Sequence, residues 1–480
     1  MLIGELMVAL PEAVLMHGDD SLRFDSVEVE SRLVQPGALF CCLQGRNSDG
    51  HLYVSDALTR GASAVLTAHP LELHLPEGVA ELRVSSGAMR AATARAASLV
   101  VGQPASALRL VGVTGTNGKT TVVNLLGQIL GRAGFSPSVI GTLSGERTTP
   151  SAPELQRQFA EARRVAEQTG LPGAVALEVS SHGLDQGRVL GVNFDVAVFT
   201  NLSHDHLDYH ETMAEYFEAK AQLFTEAAAA IAVIWTETPE GQELQRRRAN
   251  GVVAVTWADA VSLEVEATGS RFTWRGCQIS LGLRGRPNVI NTLLAAEAAV
   301  ALGVDVARVA EALNNLVPVK GRMEAVASSS NAGPTVLVDY AHTPAALEGA
   351  LEIARDLAPA GRLVVVFGCG GDRDSAKRPV MGALAARGAD RVLITSDNPR
   401  SEDPAQIASE ILAGATGSVV VEVELDRRAA IARAVDWAFP DGVVLVAGKG
   451  HETTQVFSDY TIAFDDVEVA GEILNGRALC

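Results

Sequence analysis

The sequence predicts an α/β protein of several domains built on mainly parallel sheets. Three observations carry that prediction. At 480 residues the chain exceeds the roughly 100 to 200 residues of an ordinary domain. Continuous Val, Ile and Ala runs alternate with segments whose apolar residues recur at helical spacing, the pattern of strands buried on both faces by flanking helices. Strand after strand then ends in a glycine-rich or charged cluster, where open parallel sheets place their ligands.

The elements follow in order. In the first hundred residues "RLVQPGALFCCLQG" reads as strand, turn and strand, and "GASAVLTAHP" as a further strand. Pro104 precedes the run "LRLVGVTG", so a boundary is placed near residue 105. Strands follow at "GAVALEVSSHG", "FDVAVFTNLSHDH", "AAIAVIWT" and "VVAVTWA". Pro318 and Gly321 mark a second boundary within "NNLVPVKGRMEAV". Beyond it "TVLVDYAHTP", "RLVVVFGCGGD", "RVLITSDNPR", "SVVVEVEL" and "VVLVAGKGHE" are strands separated by helical segments. The expected domains are residues 1–105, 106–318 and 319–480.

Composition narrows the function. Hydrophobic residues make up 47% and charged residues 20%, enough to bury cores throughout. A net charge of −18 disfavours a broad nucleic-acid surface, so an anionic substrate must meet a local positive site. Five cysteines without a C-x-x-C pair make neither a disulfide framework nor a zinc ribbon. Apolar runs such as "VVLVA" fall far short of the roughly 20 residues that span a bilayer. The N-terminus carries no basic-then-apolar leader, and a cytoplasmic protein without membrane insertion is expected.

"VTGTNGKTT" lies between a strand and the helical pattern of Val122, Leu125, Leu126, Ile129 and Leu130. There, backbone N–H groups freed by Gly115 and Gly118 can surround phosphate oxygens, with the helix dipole favouring their charge. Lys119 can reach the β and γ phosphates, and Thr120 can ligand Mg²⁺. Val113 stands where the usual pattern has its first glycine. Alone, the loop says ATP or GTP.

The densest polar cluster, "NLSHDHLDYHETMAEYFEAKAQLF", gathers His204, Asp205, His206, Asp208 and His210 after a buried strand, where they could ligand a metal or position water. The spacing matches no four-ligand zinc motif. Lys220, on the helix that follows, reads by default as a surface lysine. "LEVSSHGL" leaves Glu178 and Ser180 at a strand end. "VFGCGGDRDSAKRP" supplies Arg373, Lys377 and Arg378, and "SDNPR" supplies Asp397, Asn398 and Arg400; two basic clusters at adjacent strand ends suit carboxylate and phosphate.

Together these residues resemble the ATP-dependent Mur ligases, which add amino acids to the peptidoglycan precursor. "TGTNGKTT", "EVSSHGL", "NLSHDHLDYH", "EAKAQLF", "RPNVINTLLAAEAA", "GRMEAV", "VDYAHTP", "GCGGDRDSAKRP", "DNPRSEDP" and "GKGHE" occur in that family's order over about residues 112 to 452. The pattern is nearest the branch that adds the third residue. The resemblance implies a small N-terminal α/β domain for the UDP-sugar, a central P-loop ATPase domain with a mainly parallel sheet, and a C-terminal Rossmann-like domain that binds the amino acid. It implies that the D-glutamyl carboxylate attacks the γ-phosphate of ATP to give an acyl phosphate, which the amine of a diamino acid then displaces. UDP-N-acetylmuramoyl-L-alanyl-D-glutamate and meso-diaminopimelate are the favoured substrates, with ornithine or lysine as the alternative to the latter.

Site residues carried over by position are, for ATP, Gly115, Thr116, Asn117, Gly118, Lys119, Thr120, Thr121, Asn288, Asn291, Arg322, Asp339 and His342. Thr120, Glu178, His206 and Lys220, the last as a carbamate, match metal ligands; Lys119, Glu178, His206 and Lys220 are the catalytic set. Ser31, Thr148, Thr149, Ser180, Gln186 and Arg188 match the sugar-peptide site. Arg373, Asp397, Asn398, Arg400, Gly448 and Glu452 match the amino-acid pocket. The segment "VIGTLSGERTTP" is shorter than in relatives, and "ESR" replaces the usual "DSR". Folylpolyglutamate synthetase shares the ligase core but lacks an N-terminal UDP-binding domain. A non-catalytic amidotransferase partner would carry a cysteine-rich insertion absent here. A monomer that closes on its ligands is expected.

Overall fold

The computed structural model describes residues 1–480 apart from 46–47, 146, 226, 267, 328–332, 359–361 and 478–480. Among the described residues lie three α/β layers, a three-stranded antiparallel sheet and a two-stranded one, Thr454–Val456 with Thr461–Ala463. The N-terminal five-stranded sheet runs in the order Val14–His17, Ala80–Arg83, Ala64–Thr67, Ala38–Cys41, Ser26–Glu28. Its strands are parallel except for the first pair, and Leu39, Leu66 and Leu82 pack against helix Met89–Val100. The first part of "RLVQPGALFCCLQG" is not a strand. Ser31–Leu33 is a 3₁₀ turn, and the strand starts only at Ala38, because Pro36 donates no N–H and Gly37 sits at φ +85°.

The central sheet has the order Val252–Val255, Ala229–Trp235, Phe194–Phe199, Arg109–Thr114, Gly173–Glu178, Ser136–Ile140, parallel throughout. Arg109–Thr114 lies between two later strands, so its carboxyl end opens at a topological switch point, the crevice where such sheets bind ligands. Helices Lys119–Arg132 and Arg286–Ala301 cover one face through Val122, Leu126, Val289 and Leu293. Ala152–Thr169 covers the other through Leu155 and Phe159. The antiparallel sheet Val261–Glu266, Gly269–Trp274, Cys277–Leu281 adds Trp274, whose indole N–H donates to Glu297 at 2.9 Å.

The C-terminal sheet has the order Glu324–Ala325, Thr335–Asp339, Val443–Ala447, Leu363–Phe367, Arg391–Ile394, Val420–Val423, parallel but for the short first strand. One buried ion pair ties its strand ends together. Arg427 and Asp466, both with side chains 0% exposed, meet through two 2.7 Å bonds. The same guanidinium donates to Ser396 O at 3.3 Å and Ala447 O at 3.0 Å, the residues just before Asp397 and Gly448. Breaking such a pair strands a buried charge. Asp466→Asn is therefore expected to lower stability by about 3–5 kcal/mol, seen as an earlier urea transition; an unshifted transition would remove the pair from the account.

Candidate active site

The phosphate loop forms where Arg109–Thr114 ends and helix Lys119–Arg132 begins. Two glycines make its path. Gly115 sits at φ +147°, and a Cβ there would lie 1.9 Å from Thr200 Oγ1; Gly118 sits at φ +88°, and a Cβ would lie 2.5 Å from Asn291 Oδ1. Lys119 Nζ donates to Gly115 O at 2.9 Å and Thr116 O at 2.8 Å, which holds the ammonium over the loop. Loop 201–206 is tied to it: Thr116 N donates to Asn201 O at 2.8 Å, Asn117 N to Asn201 Oδ1 at 3.0 Å and Ser203 N to Thr116 Oγ1 at 2.9 Å.

Glu178, 1% exposed, ends the neighbouring strand and accepts from Thr120 Oγ1 at 3.0 Å and Thr142 N at 2.9 Å. His206 takes φ +56°, and its ring packs edge-on to His182, 4.9 Å between centroids. Burial holds His206 below its ordinary value, and burial with His210 nearby holds His182 at about 4, so both rings are neutral at pH 7. Lys220 is not a surface residue. Its helix, Met213–Ala221, turns it inward to 1% exposure, where Nζ donates to Gly115 O at 2.8 Å and lies 4.4 Å from the Tyr216 ring centroid. Burial, and then the Lys119 charge, push its pKa well below the ordinary lysine value.

The hydroxyl of Thr149 accepts from Ser180 N at 2.9 Å, and Arg188 Nη1 donates to Thr149 O at 2.6 Å. Thr148 lies 3.1 Å from the Thr142 hydroxyl. Across the cleft, Arg322 Nη2 donates to Thr120 Oγ1 at 2.9 Å, and Thr343 Oγ1 to Asn117 Oδ1 at 3.4 Å. Asp339 accepts from Met323 N at 2.7 Å and Ala341 N at 2.8 Å, and burial raises its pKa. His342 Nδ1 faces Tyr340 O at 2.8 Å, so Nδ1 carries the proton and Nε2 is the acceptor. Asn398 Nδ2 donates to Glu452 Oε2 at 2.7 Å, beside Asp397 and Gly448, whose Cβ would lie 2.5 Å from Asp397 Oδ2. Arg400, at φ +52°, donates to Gly371 O at 2.7 Å.

One cavity of about 800 Å³ joins these groups. It is lined by Thr116, Asn117, Gly118, Lys119, Thr120, Thr121, Glu178, His206, Asn288, Asn291, Arg322, Asp339 and His342 on the nucleotide side. Thr148, Thr149, Ser180, Arg188, Arg373, Asp397, Asn398, Arg400, Gly448 and Glu452 also line it. Gly115 and Lys220 lie beneath the wall, joined to Lys119 by the Gly115 carbonyl. Ser31 and Gln186 are not brought to it. Gln186 instead accepts from Arg188 Nη2 at 2.6 Å, and Ser31 lies in a turn of the N-terminal layer. The lining also includes Thr142, Arg147, His182 and Tyr340, which sequence reasoning did not single out. Arg147 stands immediately before the two threonines and donates to Glu30 Oε1 at 2.7 Å; a cation beside that pair was the available signal.

A phosphate loop, buried hard-oxygen and imidazole donors, and a carboxylate- and guanidinium-lined pocket on a second α/β layer share one cavity; that combination defines an ATP-dependent ligase. The Mur ligase family, catalytic domain model matches residues 23–111, the Mur ligase middle domain 113–299, and the Mur ligase, glutamate ligase domain 321–450. A UDP-N-acetylmuramoyl-L-alanyl-D-glutamate–2,6-diaminopimelate ligase of Geobacillus kaustophilus is 41% identical, over 98% of this chain and 99% of its own. One of Synechococcus elongatus, with the same description, is 42% identical over 98% of each. A solved structure of a ligase so described superposes with a TM-score of 0.66 at 29% identity, covering 100% of this chain and 99% of its own. The chain belongs to the Mur ligase family.

Proposed function

We propose that the enzyme joins meso-diaminopimelate to UDP-N-acetylmuramoyl-L-alanyl-D-glutamate, converting ATP to ADP and phosphate through an acyl phosphate. The observation that carries this reading is Arg400, which shares the cavity with Asp397, Asn398 and Glu452. A guanidinium suits the distal carboxylate of diaminopimelate, and the two acidic side chains suit its ammonium groups. Lysine and ornithine have no second carboxylate for Arg400. The names of the relatives at 41% and 42% identity support the same substrate.

Each group has a role in the two steps. Lys119 and the loop N–H groups hold the β and γ phosphates, Asn288 and Asn291 the adenine, and Arg322, Asp339 and His342 the nucleotide from the C-terminal side. Thr148, Thr149, Ser180 and Arg188 hold the sugar-peptide so that its carboxylate faces the γ-phosphate, with Gln186 keeping the Arg188 guanidinium in place and Ser31 serving the UDP end. Arg373, Asn398, Arg400, Gly448 and Glu452 hold the amino acid with its amine toward the acyl phosphate.

Thr120, Glu178 and His206 offer a hydroxyl, a buried carboxylate and a neutral imidazole, a donor set that fits Mg²⁺. Bound there, Mg²⁺ supplies charge screening between the nucleotide and the substrate carboxylate. As an ammonium Lys220 cannot join this set. Its suppressed basicity leaves a free amine that takes up CO₂, and the resulting carbamate supplies an anionic oxygen donor. We place the domain divisions near residues 105 and 318 and read the enzyme as a cytoplasmic monomer. No helix among the described residues is long and apolar enough to cross a membrane.

Arg400→Ala tests the assignment. It is expected to raise KM for meso-diaminopimelate by about 10- to 100-fold, the worth of charge-assisted hydrogen bonds, and to change KM for lysine and ornithine by less than about threefold. Wild-type turnover that prefers lysine or ornithine would overturn the substrate.

A further inference from the structure

The segment "DRDSAKRP" carries three cations with different surroundings. Arg378 is paired with Glu402 and Glu410, both at 2.8 Å, and Arg373 Nη1 donates to Asp372 O at 3.5 Å. Lys377, the first residue of helix Lys377–Gly388, is 6% exposed and lines the cavity. Its ammonium has no hydrogen-bond or ion-pair partner among the described residues. An ammonium that borders the cavity without such a partner is available to an anion bound there.

Its neighbours place Lys377 at the phosphate end of the cavity. Three residues before it stands Asp374, which faces His204 of the loop bonded to Thr116 and Asn117. His204 Nδ1 lies 3.8 Å from Asp374 Oδ2, and Asp374 Oδ1 accepts from Ala376 N at 2.9 Å in the turn that leads into the helix beginning at Lys377. The start of that helix therefore lies beside the central domain's loop 201–206. In the amino-acid pocket Arg400 already serves the distal carboxylate, and Lys449 Nζ donates to Glu452 Oε2 at 2.9 Å.

We propose that Lys377 is a further catalytic residue, whose ammonium hydrogen-bonds the phosphoryl group while it passes from nucleotide to substrate carboxylate, opposite Lys119. The inference rests on the ligase reading above. In that step a carboxylate oxygen forms the new P–O bond, the bond from the γ-phosphorus to the bridging oxygen breaks, and ADP leaves with the electron pair; Lys377 gives up no proton. Negative charge spreads over the three equatorial oxygens, and a fixed cation beside them lowers the barrier. Because Lys377 belongs to the C-terminal domain, phosphoryl transfer depends on that domain being closed against the phosphate loop.

The test compares Lys377→Met, Lys377→Gln and Lys377→Arg in the full chain, measuring ADP release with ATP, sugar-dipeptide and diamino acid. The expected result is a fall in kcat of about 100-fold for Met and Gln, with each KM within about threefold of wild type and recovery of at least about tenfold by Arg. ATP binding measured by calorimetry should be unchanged within about twofold, a result that a merely structural lysine does not predict. If Met fails to fold, the Gln and Arg pair carries the same comparison. A kcat within threefold of wild type, or a loss confined to the KM of the sugar-dipeptide or amino acid, overturns the proposal. Wild-type protein that releases no ADP would overturn the ligase reading instead.

Discussion

Lys119→Ala is expected to lower kcat by about 100- to 1000-fold, the range for removing one preorganised donor from a developing charge, and to weaken ATP binding at the same time. The fold should survive. Lys119 lines the cavity and, among the described residues, bonds the carbonyls of Gly115 and Thr116, which water can serve in its place. A second consequence distinguishes loss of charge from loss of shape. Lys119 is one of the two leading reasons that Lys220 is a weak base, so its removal should raise the Lys220 pKa. Turnover by the alanine variant at the wild-type rate would remove Lys119 from the phosphate site.

Lys220→Met has the second large effect, about 100-fold or more in kcat, because it deletes the amine that becomes the carbamate. Activity of wild-type enzyme should fall in CO₂-depleted buffer and return with bicarbonate, while the Met variant responds to neither. The stability argument has a definite sign. Burial, then Lys119, hold the folded-state pKa well below the usual 10.5, so between those two values the unfolded chain binds the extra proton. Unfolding free energy of the unmodified protein therefore rises with pH across that window and levels off above 10.5. Below the folded value both states are protonated and this contribution adds no further slope. Lys220→Met should remove the rise. Full activity in that variant, or indifference of the wild type to CO₂, would contradict the role.

Parts of this site were legible because backbone geometry imposes them. A strand, two glycines, a lysine and a helix leave few paths for residues 112–121, and the loop stands where the sequence placed it. The buried strands of both large sheets were equally plain as uninterrupted Val, Ile and Ala runs. The antiparallel sheet of residues 261–281 was not read, since Val261–Glu266 has exposed or half-buried side chains throughout and carries two glutamates. Lys220 was hidden for a different reason. On helix Met213–Ala221 it follows Tyr216 by one turn, and only the packed loop shows that this face points inward. Ser31 and Gln186 lie outside the cavity lining, a placement that residue type alone does not show: Gln186 acts on Arg188, and Ser31 lies in a turn of the N-terminal layer.

The central claim is that this cavity phosphorylates a carboxylate before joining it to an amine. It is tested most directly by measuring ADP release from ATP with the full substrate set and with the sugar-dipeptide or meso-diaminopimelate omitted in turn. Sustained release that requires both, matched mole for mole by tripeptide, is the predicted result. No release with the complete set, or release that continues at the same rate without the sugar-dipeptide, would contradict it.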